Sequence, residues 1–226
     1  LIDPIRHMKV FDPDKFGNGR VDVIGCGATG SRVVLSLAKL GINNIHVWDF
    51  DVIEEHNIAN QAFGNDQIGQ LKVEAIRDIV SEQTGVNINT HPEKVDGSQT
   101  LGEHIFILTD TMESRKEIYE KGIKFKPFIK TVVETRMGSD NGRVYAFSPI
   151  MFSQAEAWES TLYSDEEAEV SACGASVTVG PTAEMISGMA VWQFIRYYKW
   201  HLEGGEEPEN EVIFSLQPIM FITQQF

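Results

Sequence analysis

Positive charge is what this sequence has least of. Lys and Arg number 19 against 33 Asp and Glu in 226 residues, a formal net charge of −14. The basic residues are scattered rather than clustered. A nucleic-acid partner is therefore not expected, because phosphate neutralisation supplies most of that affinity. Cysteine is nearly absent as well. Only Cys26 and Cys173 occur, far apart and in no C-x-x-C pair, which argues against a disulfide framework and against a structural zinc of the common kind. Long apolar runs are missing. The longest apolar-leaning stretch, Val177–Ile195, contains Pro181 and Glu184 and reads as a helix buried on a sheet rather than a membrane span. The opening segment, LIDPIRHMKVFDPDKF, has no signal-peptide core, so a reducing, cytoplasmic setting without a membrane partner is the expectation. Apolar residues at 42% are enough to fill one full core.

What the chain does have is concentrated in residues 21–61. The apolar run Val21–Ile24 leads into Gly25-Cys26-Gly27-Ala28-Thr29-Gly30, followed by Val33, Val34, Leu37 and Leu40 at helical spacing and Gly41 as a stop. A second apolar run, Ile45–Trp48, closes on Asp49. This is a strand, a G-x-G-x-x-G turn, a helix and a strand ending on a carboxylate. The first glycine permits the tight turn, the second lets backbone approach a phosphate, and the third lets helix and strand pack closely. The helix start offers unpaired N–H groups to an anion, and Asp49 stands where a carboxylate accepts from ribose hydroxyls. Taken alone, the loop favours the dinucleotide site of an ordinary NAD(P)-dependent oxidoreductase, and it is the segments after it that reverse this reading.

The remaining pattern predicts one doubly wound, mostly parallel α/β domain over 1–226 with an antiparallel C-terminal extension. Residues 1–19 read as an arm. A helix is expected over 66–82, capped by Asn65 or Asp66. Strands are expected at Val86–Thr90, Ile105–Thr109, Phe128–Glu134 and Arg143–Phe147. Met112–Lys121 reads as a helix with Asp110-x-x-Glu113 as a capping box. Residues 151–176 show no period. Gly180-Pro181 opens a long helix to about His201, in which Ser187, Gly188 and Ala190 suit close packing on the sheet. Strands at Val212–Leu216 and Ile219–Thr223 finish the chain.

Past Asp49 the chain runs Asp51-Val52-Ile53-Glu54-Glu55-His56-Asn57-Ile58-Ala59-Asn60-Gln61, and then Ile68-Gly69-Gln70-Leu71-Lys72. These segments resemble the ThiF/MoeB/HesA family, the adenylating domain shared with ubiquitin-activating enzymes, which carries D-x-D-x-V/I-x-x-S-N-L-x-R-Q and then I/V-G-x-x-K. Two more segments extend the likeness. Thr109-Asp110-Thr111 through Arg115 is similar to the family's C/A-T-D-N-x-x-x-R, and Cys173 keeps the family's spacing to Gly180-Pro181. The resemblance implies that Gly25, Gly27, Ala28, Thr29, Gly30, Asp49, Asp51, Asn57, Gln61 and Lys72 bind ATP. It implies that Asp110 holds Mg²⁺, that Lys72 offsets charge on the leaving pyrophosphate, and that Cys173, on a crossover loop spanning 151–180, receives the activated group. The implied activity is adenylation of the C-terminal glycine carboxylate of a ubiquitin-like or sulfur-carrier protein by a homodimer.

Each residue also has a plainer reading: Lys72 as a solvated helix residue, Asp110 as a helix N-cap, Cys173 as an inert thiol. Cys26 reads as structural and Arg115 as support for packing or the loop. The chain departs from the pattern at His56, where the family has serine, and at Asn60, where it has an arginine that touches the triphosphate. Arg32 is a candidate substitute. Neither Arg6 nor Arg20 clearly matches the family's N-terminal arginine. The rival expectations are a non-catalytic nucleotide-binding scaffold, an NAD(P)-dependent oxidoreductase, and an enzyme acting on a small peptide or a tRNA-linked carboxylate. The negative charge disfavours tRNA.

Overall fold

The computed structural model describes residues 2–165 and 179–226. Eight strands form one sheet in the order β3-β2-β1-β4-β5-β6-β7-β8: β1 Val21–Ile24, β2 Ile45–Trp48, β3 Asn89–His91, β4 His104–Ile107, β5 Thr131–Met137, β6 Asn141–Phe147, β7 Glu211–Leu216 and β8 Ile219–Gln224. Strands β1 to β5 are parallel. Strands β6 to β8 run antiparallel, so the expected fold class is the observed one. Every residue of the short central strands β1 and β4 is buried, Asp22 and His104 included, because both of their faces are covered, as parallel strands require.

Among the described residues, six α-helices accompany the sheet: α1 Pro13–Phe16, α2 Gly30–Lys39, α3 Lys72–Thr84, α4 Met112–Glu117, α5 Phe152–Ser160 and α6 Gly180–Glu203. One core lies beneath α2, α3 and α6 and contains Val33, Leu37, Ile76, Ala190 and Phe194. A second core lies on the opposite face and joins Ile118, Tyr119 and Ile123, from a π-helical turn after α4, to Ala155 and Trp158 of α5. Helix α3 ends at Gly85, whose left-handed backbone (φ +72°) places its N–H on the Ser81 carbonyl.

The structure corrects several local expectations. Helix α3 starts at Lys72 with Leu71 as N-cap, and Asn65–Gln67 is a separate 3-10 turn. The N-cap of α4 is Thr111, whose hydroxyl accepts from Ser114 N–H. Asp110 is therefore no cap. The Asp165 carboxylate covers the Met112 and Glu113 N–H groups at 2.6 and 3.0 Å. The stretch expected to be a loop over 151–180 contains α5, anchored by the fully buried Trp158. Gly188 faces open space rather than the sheet. The N-terminal arm is partly core: Phe11 and Phe16 are buried and pack on Phe194 and Tyr198.

Candidate nucleotide site

The chain order turns around at β1. It moves outward through β2 to β3, then returns to place β4 on the other side of β1. In open α/β sheets such a switch point leaves a crevice at the carboxyl ends of the strands. Gly25 follows β1 there with φ +96°, and a Cβ at this position would stand 2.7 Å from the Leu108 carbonyl oxygen. A Cβ on Gly30 would meet the Gly25 carbonyl oxygen at 1.9 Å, so the turn closes on itself only with glycine at both positions. Gly27 differs, since nothing lies within 4 Å of its Cβ direction. Its backbone faces open space beside the N-terminus of α2, which is the approach an anion needs. Ser187 of α6 backs the loop: its hydroxyl, whose nearer acceptor is the Ala183 carbonyl at 2.6 Å, lies 3.1 Å from the Thr29 carbonyl.

Asp49 ends β2 and reaches across to the loop. Its Oδ2 accepts from Cys26 N–H at 2.6 Å and its Oδ1 from Asp51 N–H at 2.9 Å. Burial pushes its carboxyl above the ordinary range, against the downward pull of those N–H groups and of Lys72. Cys26 is fully buried, and burial, with Asp49 beside it, pushes its thiol well up. A thiol held protonated is a poor nucleophile, in keeping with a structural role.

Lys72 is almost completely buried, and its ammonium donates to Asp51 Oδ2 at 2.7 Å. It is not the solvated helix lysine of the plainer reading. Asn57 is buried in the 3-10 turn Glu55–Ala59, where its Oδ1 accepts from Glu54 N–H at 2.9 Å. A cleft of about 320 Å³ opens between them, lined by Phe50, Asp51, Glu54, His56, Asn57 and Lys72. His56 Nδ1 lies 3.4 Å from Glu54 Oε2 at its exposed rim. Gln61 follows the Asn57 turn, and its buried Oε1 has no hydrogen-bond partner among the described residues. A slightly larger cleft, about 380 Å³, lies at the far end of α6 between Arg196 and Gln225. It lies away from the switch point, whereas the smaller cleft holds Asp51, Asn57 and Lys72, so the chemistry favours the smaller one.

Asp110 lies exposed just beyond β4. The neighbouring Arg115 is buried and ties strand ends together, donating to the Thr109 and Thr135 carbonyls and pairing with Glu134 at 2.9 Å. That is the supporting role expected of it. Among the described residues no cluster of three or more His, Cys, Asp or Glu could hold a metal. A lone exposed carboxylate at a strand end suits Mg²⁺, which draws its other ligands from phosphates and water. Cys173 lies outside the described residues. Sequence reasoning did not single out Glu134 or Asp165. Asp165 meets the start of α4 from 53 residues downstream, and Glu134 joins its strand neighbour Arg136 to Arg115 and Trp158, which come from other elements.

A model of the ThiF family matches residues 5–220. Over 86 residues the chain is 37% identical to the probable adenylyltransferase/sulfurtransferase MoeZ of Mycobacterium tuberculosis, covering 37% of this chain and 22% of that protein. It is 31% identical over 89 residues to the adenylyltransferase and sulfurtransferase UBA4 of Saccharomyces cerevisiae, covering 38% of this chain and 20% of that one. The molybdopterin-synthase adenylyltransferase of Escherichia coli is 28% identical over 111 residues, 45% of this chain and 43% of that one. Each match thus spans less than half of the relative. Among solved structures, E. coli MccB with ATP aligns with a TM-score of 0.69 at 15% identity, over 94% of this chain and 65% of that chain. PaaA aligns with a TM-score of 0.71 at 19% identity, over 100% and 78%. These two likenesses concern the fold. No helix among the described residues is long and apolar enough to cross a membrane.

Proposed function

Because the chain belongs to the ThiF family, we propose that it is an ATP-dependent adenylyltransferase acting on the C-terminal glycine carboxylate of a ubiquitin-like or sulfur-carrier protein. The observation that carries this reading is the convergence of the open Gly27 face, Asp49, Asn57 and the buried Lys72 at one switch point. The relatives named adenylyltransferases and the ATP-bound MccB support it.

In this reading the Gly27–Gly30 backbone and the start of α2 cradle the phosphates. Asp49 accepts from the ribose, and Asn57 and Lys72 hold phosphate oxygens. Lys72 starts paired with Asp51 and shares its charge with the nucleotide on binding. The substrate carboxylate attacks the α-phosphorus, the bond to the bridging oxygen breaks, pyrophosphate leaves and an acyl adenylate remains. Mg²⁺ held by Asp110 would neutralise charge on the phosphates. A sulfur nucleophile, with Cys173 the candidate in this chain, then takes the acyl group and releases AMP. The chain's own contribution is positioning and preorganised charge. The proposal includes a homodimer in the cytoplasm. Light scattering at micromolar concentration that shows only monomer would contradict the dimer.

The test is ATP–pyrophosphate exchange with a purified carrier protein ending in Gly-Gly. Exchange is expected in the wild type, absent in Asp110→Ala and intact in Cys173→Ser. A second reading, a nucleotide-binding scaffold, is favoured by one residue, Asn60 in place of the family arginine. A wild type that binds ATP yet supports no exchange with any carrier would move that reading to the front.

A further inference from the structure

Carboxylates outnumber cations around the crevice. Asp49, Asp51, Glu54 and Asp110 stand at its strand ends and rim, and the ammonium of Lys72 is already engaged by Asp51. A triphosphate needs further positive charge there. Arg32, in the first turn of α2, is placed to supply it. Its Nη1 donates to the Ala28 carbonyl at 2.9 Å and to the Asn60 carbonyl at 2.6 Å, so the guanidinium bridges the glycine loop and the end of the Asn57 turn. Both Nη1 protons are used in this way, which fixes the plane of the group. Among the described residues, the Nε–Nη2 edge has only Glu184 of α6. That carboxylate is 3.6 Å from Nη2 and its side chain is 71% exposed, beyond hydrogen-bond distance and in the geometry of a weak surface pair.

We propose that Arg32 is the phosphate-binding arginine of this site. Its side-on edge takes phosphate oxygens of the nucleotide in a bidentate contact, and Glu184 is the counter-ion that the phosphate displaces. This rests on the adenylyltransferase reading and deepens it. A planar fork pinned at one nitrogen is preorganised, and phosphate matches the remaining edge better than a distant, hydrated carboxylate does. The charge that Asn60 lacks thus comes from a different element. The guanidinium sits against the backbone of residue 60 itself, so the same place in space is served from α2. No bond is made or broken, and the proposal concerns affinity and selectivity for the polyphosphate chain.

The experiment is calorimetric titration of the full chain with MgATP and with AMP. The proteins are wild type, Arg32→Ala, Arg32→Lys, Glu184→Gln and Arg32→Ala/Asn60→Arg. Arg32→Ala should weaken ATP by about 10- to 100-fold, the worth of a charge-assisted bidentate contact, and AMP by less than about threefold. Arg32→Lys keeps the charge without the fork and should fall between. Glu184→Gln should tighten ATP by about two- to fivefold. The double variant should regain most of the loss, because an arginine at 60 starts beside the position the guanidinium left. Loss of the two carbonyl contacts could unsettle the loop, but a merely structural role would weaken ATP and AMP alike. Equal loss for both nucleotides, or no loss for ATP, overturns the inference and leaves the adenylyltransferase reading standing. A wild type that binds no ATP overturns both.

Discussion

Two sets of carboxylates occupy this sheet, and they are held in opposite ways. Asp22 and Glu134 are fully buried within the strands. Asp22 accepts from Arg20 through both oxygens, from the Trp48 indole at 2.7 Å and from Gly102 N–H at 2.6 Å. Glu134 accepts from Arg136 at 2.9 Å and from the Trp158 indole at 3.3 Å, and pairs with the Arg115 guanidinium at 2.9 Å. Each carboxylate is met by at least one guanidinium and by an indole N–H, as a buried charge demands. Asp49, Asp51 and Asp110 sit at the strand ends, half-buried or exposed, held by one or two N–H groups, by one ammonium, or in the case of Asp110 by no partner among the described residues. The first set is finished and has nothing left to bind. The second retains acceptor capacity toward the crevice, and that difference separates residues that hold the fold from residues available to a ligand.

The sharpest way to break the comparison is to remove one member of each set. Asp110→Ala should abolish carrier-dependent ATP–pyrophosphate exchange while shifting stability by no more than about 0.5 kcal/mol, the usual range for an exposed position. Lys72→Ala should cut exchange by about 3–4 kcal/mol in transition-state stabilisation, a hundredfold or more. Glu134→Ala should do the reverse. It strands two buried guanidinium groups and should destabilise the fold by about 3–5 kcal/mol, a drop in Tm of roughly 10 °C by scanning calorimetry. A stable Glu134→Ala protein that has lost only exchange would erase the distinction.

The strand-end set was legible in the sequence because its signals are local. The glycine loop and Asp49 follow one another within a single β-α-β run, and the resemblance to the ThiF/MoeB/HesA family points to Asp51, Lys72 and Asp110. The buried set was not. Glu134 reads as the last residue of an ordinary strand, and its partners Arg115 and Trp158 lie 19 and 24 residues away in sequence. The Asp110 cap failed for a related reason. The residue pattern permits a capping box, yet Thr111 lies one position closer to the helix and Asp165 arrives from 53 residues downstream. Helix α5 escaped because its pattern is only weakly amphipathic. Trp158 buries against Tyr119 and Phe147 and decides the matter through tertiary contact.

Smaller effects sharpen the account through pH. His104 is buried among Phe16, Phe194 and Tyr198, and burial lowers its pKa to about 3. His46 and His91, in hydrogen-bond contact at 2.9 Å, are also lowered, chiefly by burial and then by Arg20. A lowered base is held neutral in the fold, so the unfolded chain takes up protons first. Stability is fully present above the ordinary value of 6.5 and declines as pH falls below it. For His104 alone the loss should reach about 2 kcal/mol by pH 5. Urea unfolding of the wild type and of His104→Phe should show a shallower acid slope in the variant, and equal slopes would contradict the assignment. The smallest effect is expected at Cys173→Ser, which should leave exchange unchanged and remove only a reductant-sensitive adduct with the carrier on non-reducing gels.

The central claim is that the strand-end set serves a nucleoside triphosphate. Titration calorimetry of the wild type with MgATP and with NADH tests it most directly. The account predicts saturable ATP binding that weakens in Lys72→Ala, with no heat from NADH. Saturable NADH binding with no ATP signal would contradict it.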